Sequence, residues 1–326
     1  MKKNIALVTG GYSGEAVISY KSAETVSANI DRNLYNVYYI DINPTGWFYV
    51  DADTIKTPVN KTDFSIATSN GTTHFDAVLM CLHGTPGEDG KLQGYLDMLN
   101  IPYSTCNAAT SALTFNKRYT VAVAAFAGIS VAKSVHLFKE ESYDVNDILQ
   151  QLSLPVFVKP NNGGSSIGMS KVVDANELEA AIHKAFNEDN QVLIEEFISG
   201  REFTIGVYKS GGKIISLPMT EIITQKDFFD YEAKYLGMSE EITPANASPL
   251  IAEQIANTAK KAYKVFNCNG VVRIDFIYNE SIQQPFMLEI NTVPGQSSAS
   301  IIPQQVKAAG MTLTDFYSNL IEACFQ

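Results

Sequence analysis

The sequence predicts an α/β protein with a parallel α/β region at its N-terminus, followed by two further α/β regions, the last built on a largely antiparallel sheet. Three features of the 326-residue chain point there. Apolar residues make up 45% and charged residues 18%, a globular mix with material for full cores. Near the N-terminus, short apolar runs alternate with stretches of helical length, the order of a parallel α/β unit. Beyond residue 200, runs with period two dominate, as in strands that face a core on one side.

Taken in order, Asn4–Thr9 carries a continuous apolar run closed by Gly10-Gly11, a buried strand ending in a tight turn. Glu15–Ile30 reads as a helix, and Tyr35–Ile40 is aromatic and β-branched enough for a second strand. Phe75–Leu82 is a further buried strand, Gly90–Leu99 a helix and Ile101–Thr105 a short strand. A second region opens with the Ala-rich helix Asn116–Ala127, then strands Lys133–Phe138 and Pro155–Lys159 and the helix Ala175–Phe186. Gln191–Phe197 leads into the third region. There Glu202–Lys209, Lys213–Ile223, Val271–Tyr278 and Pro285–Ile290 read as strands. Between them Ile251, Ile255, Ala259, Ala262 and Phe266 form one apolar stripe of a helix. This places domain boundaries near 105 and 195, giving 1–105, 106–195 and 196–326.

The charge balance, 24 basic against 35 acidic residues, gives −11. A nucleic-acid binder would carry a basic face, so none is expected as partner. Cysteines 81, 106, 268 and 324 are too scattered for a metal or redox pair and are read as reduced. The first apolar run is too short for a signal peptide, and Ala77–Leu82 and Val121–Ile129 are too short to span a bilayer. A soluble, cytoplasmic protein is expected.

The strongest chemical signal lies on the last two strands. In VVRIDF, Arg273 and Asp275 alternate with Val272, Ile274 and Phe276; in FMLEIN, Glu289 and Asn291 alternate with Phe286, Leu288 and Ile290. Residues two apart share a strand face, so the four polar groups converge if the strands are neighbours. Asp275, Glu289 and Asn291 are hard oxygen donors without His or Cys, which suits Mg²⁺ or Mn²⁺ completed by phosphate oxygens. The same alternation would also describe a solvated sheet face.

Lys159 ends an apolar strand and is followed by Gly163, Gly164, Ser165, Ser166 and Gly168, a mobile loop whose N–H groups suit phosphates. The spacing is not that of a Walker loop, and a flexible hairpin remains open. Gly10–Glu15 joins a strand to a helix N-terminus, a position that favours anions, though Glu15 is equally a first-turn helix residue. As a dinucleotide fingerprint its glycine spacing is defective. His83 follows a strand within HGTPGEDG, at the edge where open α/β sheets place ligands. Phe228–Leu236 is a polar-aromatic stretch that could be an ordinary loop.

Together the blocks HGTPGEDGKLQG, VKPNNGGSSIGMSKV, DYEAKYLG, VVRIDF and LEINTVPG resemble the D-alanine–D-alanine ligases of the ATP-grasp superfamily, over essentially the whole chain. The resemblance implies a three-domain ATP-grasp fold. The N-terminal α/β domain would bind substrate, and the central and C-terminal domains would sandwich ATP. It implies ATP-dependent joining of two D-alanines through a D-alanyl phosphate, for peptidoglycan synthesis, with two Mg²⁺ or Mn²⁺ ions and a homodimer. Asp275, Glu289 and Asn291 would then hold metal, while Arg273 and the Gly295 N–H would stabilise the oxyanion. Lys117, Lys159 and Ser166 would bind phosphates; Glu195, Glu196 and Ile198 would hold adenine and Glu202 the ribose. Lys234 would reach the γ-phosphate. Glu15 would take the first ammonium and close the site with Ser165 and Tyr235, with His83 beside the first D-alanine and Ser300 and Ile301 at the second. Both glycine-rich 161–168 and the loop 226–237 are expected to order over ATP.

The chain departs from the family at Ala16-Val17, at Gln296-Ser297 and at Ile301, the latter two beside the second-substrate contacts. The alternatives are another ATP-grasp carboxylate–amine or D-alanyl-D-lactate ligase, a nicotinamide oxidoreductase, and a non-catalytic nucleotide binder.

Overall fold

The computed structural model describes residues 2–69, 71–164, 166–224 and 239–326. The N-terminal part runs β1 (Lys3–Gly10), α1 (Ala16–Asn29), β2 (Tyr35–Asn43), β3 (Gly46–Val50), β4 (Lys56–Asn60), β5 (Ser65–Thr68), β6 (Gly71–Thr73), β7 (Ala77–Met80) and α2 (Lys91–Met98). Its seven strands form one sheet in the order β6-β5-β4-β3-β2-β1-β7. Only β1 pairs in parallel, with β2 and β7. The expected parallel region is therefore a mixed sheet, because β2 turns back into an antiparallel run from β3 to β6. Asn43 and Gly46 close the first hairpin across Pro44-Thr45, with Gly46 at φ 155°. The expected strand at Ile101–Thr105 is reduced to one bridge, Val78 to Tyr103.

Next come α3 (Ala108–Phe115), α4 (Lys117–Phe126), β8 (Ser134–Phe138), α5 (Val145–Gln151), β9 (Val156–Pro160), β10 (Ser170–Val172), α6 (Leu178–Phe186) and β11 (Gln191–Glu196). Asn107 and Asn116 cap α3 and α4, each accepting from a backbone N–H of the first turn. The strands make a four-stranded sheet, β10-β9-β11-β8, around Val156, Val158, Ile182 and Ile194.

The last part holds β12 (Arg201–Ser210), β13 (Lys213–Ser216), β14 (Thr220–Thr224), β15 (Ser239–Ile242), α7 (Pro249–Val265), β16 (Val271–Asn279), β17 (Gln284–Asn291), α8 (Ile301–Ala308) and α9 (Leu313–Ala323). The single strand expected at 213–223 is broken into β13 and β14 around Leu217-Pro218, since proline cannot donate to a ladder. The sheet is antiparallel, β15-β14-β12-β16-β17 with β13 beside β12. Ser248 caps α7, and Ile255, Ala259 and Ala262 of its stripe are fully buried against Val272, Ile274 and Phe276. Each large aliphatic chain so buried contributes roughly 1.5–3 kcal/mol. The C-terminal helices cross back to the first sheet: Val306, Phe316 and Tyr317 pack with Ile5, Leu7 and Val26. That return ties the two ends of the chain together.

A bulge sits between Asp275 and Phe276 in the β16–β17 ladder. Asp275 pairs with Glu289, but Phe276 pairs with Met287, leaving Leu288 as the extra residue. Such an insertion shifts the alternation by one. Met287, not Phe286 or Leu288, therefore joins the core, and Leu288 turns to the open face. The expectation that Phe286 and Leu288 face the core is corrected by this bulge.

All four cysteines are free, three of them buried. Among the described residues, no helix is long and apolar enough to cross a membrane.

Candidate active site

Two adjoining cavities, of about 600 and 500 Å³, open where the three sheets meet. They share Lys117, Gly163, Gly164, Glu202, Asp275 and Glu289. The polar quartet of β16 and β17 lines the first cavity, and its members Asp275 and Glu289 also face the second. Arg273 lies opposite Asn291 and Asp275 opposite Glu289, as alternation predicts. Arg273 donates both arms of its guanidinium to Asp275, Nε to Oδ1 at 2.9 Å and Nη2 to Oδ2 at 2.9 Å. Thr204, opposite Asp275 on β12, donates a third bond at 2.5 Å. Glu289 Oε1 lies 3.9 Å from Arg273 Nη2. A bidentate pair of this kind fixes orientation as well as charge.

These residues suit a hard divalent cation. Asn291 Oδ1 is buried and accepts no hydrogen bond among the described residues. An orphaned carbonyl oxygen is costly unless something binds it. Asp275 Oδ1 accepts from both Arg273 and Thr204, while Oδ2 retains a second lone pair beyond its one arginine bond. Among the described residues, no group of three or more His, Cys, Asp or Glu is arranged to hold a metal. Two carboxylates and one amide match an ion that brings phosphate oxygens of its own.

The second cavity is built by β9, β11 and the segment after β11. Lys159 and Glu195 stand diagonally across the β9–β11 ladder and pair at 2.5 Å. Burial alone would lower the Lys159 pKa, but Glu195, with Glu289 and Glu202 beyond it, raises it overall. Lys159 is therefore a held cation. Glu196, Ile198, Glu202 and Ser166 line the same space. Lys117, the first residue of α4, donates to the Gly163 carbonyl at 2.7 Å, joining the glycine-rich loop to the helix.

The first cavity is closed by the N-terminal part. Glu15 stands at the N-cap position of α1 without a side-chain capping bond, and its carboxylate fits against two glycines: an added Cβ on Gly164 would lie 2.8 Å from Oε1 and one on Gly84 2.7 Å from Oε2. His83 is buried, and its Nε2 lies 3.1 Å from Ser22 Oγ. Ser22 Oγ also accepts from the Gln296 N–H; with the neutral ring's one N–H given to the Val293 carbonyl, Nε2 is the acceptor of the Ser22 proton. The ring's other nitrogen donates to the Val293 carbonyl, and the imidazole is neutral; burial lowers its pKa to about 4. Both nitrogens are engaged, so His83 offers the cavity a ring face. At the far end Gly295, Ser300 and Ile301 line the wall, and an added Cβ on Gly295 would meet Ser300 Oγ at 2.8 Å. Ser165, Lys234 and Tyr235 lie outside the described residues, as does 226–237. Every other candidate site residue lines one of the two cavities.

Glu88 is the main residue the motif reading passed over, although it lies in HGTPGEDG. It accepts from the Gly84 N–H at 2.6 Å. Burial first, then the neighbouring Glu15, push its pKa up to about 8. Two carboxylates this close do not both ionise readily, which favours the protonated form of Glu88. Thr204 was also missed; its place on β12 two residues from Glu202 was the available signal.

The His83 shift has a sign that melts can read. Unfolded histidine takes a proton near pH 6.5, the folded one only near pH 4. The unfolded state thus binds more protons between these values, and stability falls as pH drops through them. Between pH 7 and 5 this amounts to on the order of 2 kcal/mol. His83→Gln is expected to lose less stability over that interval than the wild type in urea melts; equal losses would mean the imidazole is not held neutral.

A family model for the D-ala D-ala ligase C-terminus matches residues 116–322, and one for the N-terminus matches residues 4–106. The chain belongs to the D-alanine–D-alanine ligase family. Its curated relatives include the D-alanine–D-alanine ligases of Parabacteroides distasonis, 44% identical over 99% of this chain and 97% of that one, and of Flavobacterium johnsoniae, 45% identical over 98% of both. Solved relatives of the family superpose along the full length. VanG D-Ala:D-Ser ligase from Enterococcus faecalis gives a TM-score of 0.90 at 32% identity, covering 99% of this chain and 100% of that one. The Bacillus anthracis D-alanine–D-alanine ligase complexed with ATP gives 0.79 at 28%, covering 99% and 97%. The fold is the family's ATP-grasp fold, and the protein is an ATP-dependent ligase.

Proposed function

We propose that the protein joins two D-alanines with conversion of ATP to ADP and phosphate, supplying D-alanyl-D-alanine for peptidoglycan. The observation that carries the reading is the quartet Arg273, Asp275, Glu289 and Asn291, in register along the first cavity, with Asp275 and Glu289 also lining the second. A nucleotide binder needs no arginine fork beside its metal-ligating oxygens; an acyl-transfer site does.

In this reading adenine lies by Glu195 and the backbone of Glu196 and Ile198, and the ribose by Glu202. Lys117, Lys159 and the loop carrying Ser166 hold the phosphates, while Lys234 reaches the γ-phosphate. Asp275, Glu289 and Asn291 would hold Mg²⁺ or Mn²⁺, which when bound offsets the phosphate charge. Glu15 receives the ammonium of the first D-alanine, and protonated Glu88 spares it a second buried negative charge. The first carboxylate attacks the γ-phosphorus, giving an acyl phosphate and ADP. The free amine of the second D-alanine attacks the carbonyl carbon. Arg273 and the Gly295 N–H stabilise the resulting oxyanion, and phosphate leaves as the amide forms. Ser300 and Ile301 position the second substrate, and Ser165 and Tyr235 close the site with Glu15. The proposed division is 1–105, 106–195 and 196–326, in a cytoplasmic homodimer.

Phosphate release from ATP and Mg²⁺, with and without D-alanine, tests this. D-alanine-dependent phosphate together with the dipeptide is expected; phosphate independent of D-alanine would overturn the reading. D-lactate as sole acceptor decides the depsipeptide alternative.

A further inference from the structure

The far end of the first cavity contains a hydrogen-bonded chain that the proposed mechanism does not use. It starts at Gln305 on α8, which is fully buried. Gln305 Oε1 accepts from the Gly206 N–H at 2.8 Å, and Nε2 donates to the Thr204 carbonyl and to Thr220 Oγ1, each at 3.0 Å. Gly206 is glycine for the same reason: an added Cβ would lie 2.7 Å from Ile302 and 2.9 Å from Gln305. The helix carrying the second-substrate contacts is thus seated directly on β12.

From Thr220 the bonds run one way. Its Oγ1 lies 2.6 Å from Thr243 Oγ1, and because the one Thr243 proton goes to Gln304, Thr220 is the donor of this bond. Thr243 then donates to Gln304 Oε1 at 3.3 Å. Gln304 Nε2 donates to Glu241 Oε2 at 2.8 Å and to the Ala299 carbonyl at 3.1 Å. One unbroken path of donors thus runs from Gln305 through Thr220, Thr243 and Gln304 to the Glu241 carboxylate, and such aligned chains reinforce one another. Glu241, on β15, lines the cavity beside Ser300 and Ile301. Among the described residues, no ion pair neutralises it. Lys21 and Glu24 of α1 line the same cavity.

We propose that Glu241 is a specificity-determining residue of the acceptor site, a carboxylate fixed by Gln304 that favours an incoming acceptor bearing an ammonium over one bearing a hydroxyl. This rests on the function proposed above. D-alanine and D-lactate share a carboxylate, so any repulsion between it and Glu241 is common to both. Only the ammonium distinguishes them, and a fixed negative charge in a partly desolvated pocket attracts it. Discrimination of this kind is a difference between two affinities. Gln304 is a positioning residue, acting only through Glu241.

The test is competition between equal D-alanine and D-lactate in the wild type, Glu241→Gln and Gln304→Met, with product ratio and the KM for each D-alanine measured. The ester-to-dipeptide ratio is expected to rise about tenfold in Glu241→Gln, equivalent to about 1.4 kcal/mol. Gln304→Met should move it the same way by less. The KM for the second D-alanine should rise while those for ATP and the first D-alanine do not. D-serine carries the same ammonium as D-alanine, so their ratio should hold in both variants, which a general loosening of the pocket would not give. If Glu241→Gln does not fold, Gln304→Met decides, because it leaves Glu241 in place. An unchanged ester-to-dipeptide ratio in an active enzyme overturns the role of Glu241 alone. Absence of D-alanine-dependent phosphate in the wild type overturns the function itself, and this role with it.

Discussion

Glu289→Gln is expected to lower D-alanine-dependent phosphate release by more than about 100-fold, because even indirect partners of metal ligands cost about 10–100-fold when removed. Glu289 stands opposite Asp275 on the wall between the two cavities. Its side chain is 37% exposed, so the substitution leaves the core intact. Stability should therefore move by no more than about 0.5 kcal/mol. The amide keeps the shape and removes one negative charge from a donor set that has only two. Activity should recover in part as Mg²⁺ is raised. Near-wild-type turnover at limiting Mg²⁺ would remove Glu289 from the metal set.

Arg273→Lys should cost about 10²–10³-fold in kcat, the range for loss of one oxyanion donor. Lysine keeps the charge, so a purely electrostatic role would survive it. It cannot reproduce the two parallel bonds to Asp275. Asp275 is nearly buried, and Thr204 would remain as its partner. The variant should also melt at lower temperature, since a buried carboxylate loses part of its hydrogen bonding. A kcat close to wild type would show that Arg273 orients Asp275 without touching the reacting carbonyl.

The main strands and the strongly periodic helices of the central and C-terminal parts were legible because they rest on local periodicity, whereas the short α3, α5, β10 and β15 and the C-terminal helices α8 and α9 were not read. The α7 stripe and the alternation of Arg273 with Asp275 are visible without any partner strand. The antiparallel extension β3–β6 was not, since its strands are short, half-exposed and weakly patterned. The bulge at Asp275 was equally hidden, because a register shift belongs to two strands and neither sequence alone records it. Glu88 lay inside a recognised block, but its proton affinity comes from burial and from Glu15, which is 73 positions earlier in the chain.

By itself, then, the chain determined the family blocks, the elements with strong period and the identity of the polar quartet. Those are properties of neighbouring residues. Only the tertiary structure decided that Leu288 faces the cavity and that His83 is neutral with both nitrogens engaged. It alone placed the Gln305–Thr220–Thr243–Gln304 chain against Glu241 at the acceptor end. Each of these depends on groups brought together from distant segments, where burial and hydrogen bonding set charge and orientation that no local pattern encodes.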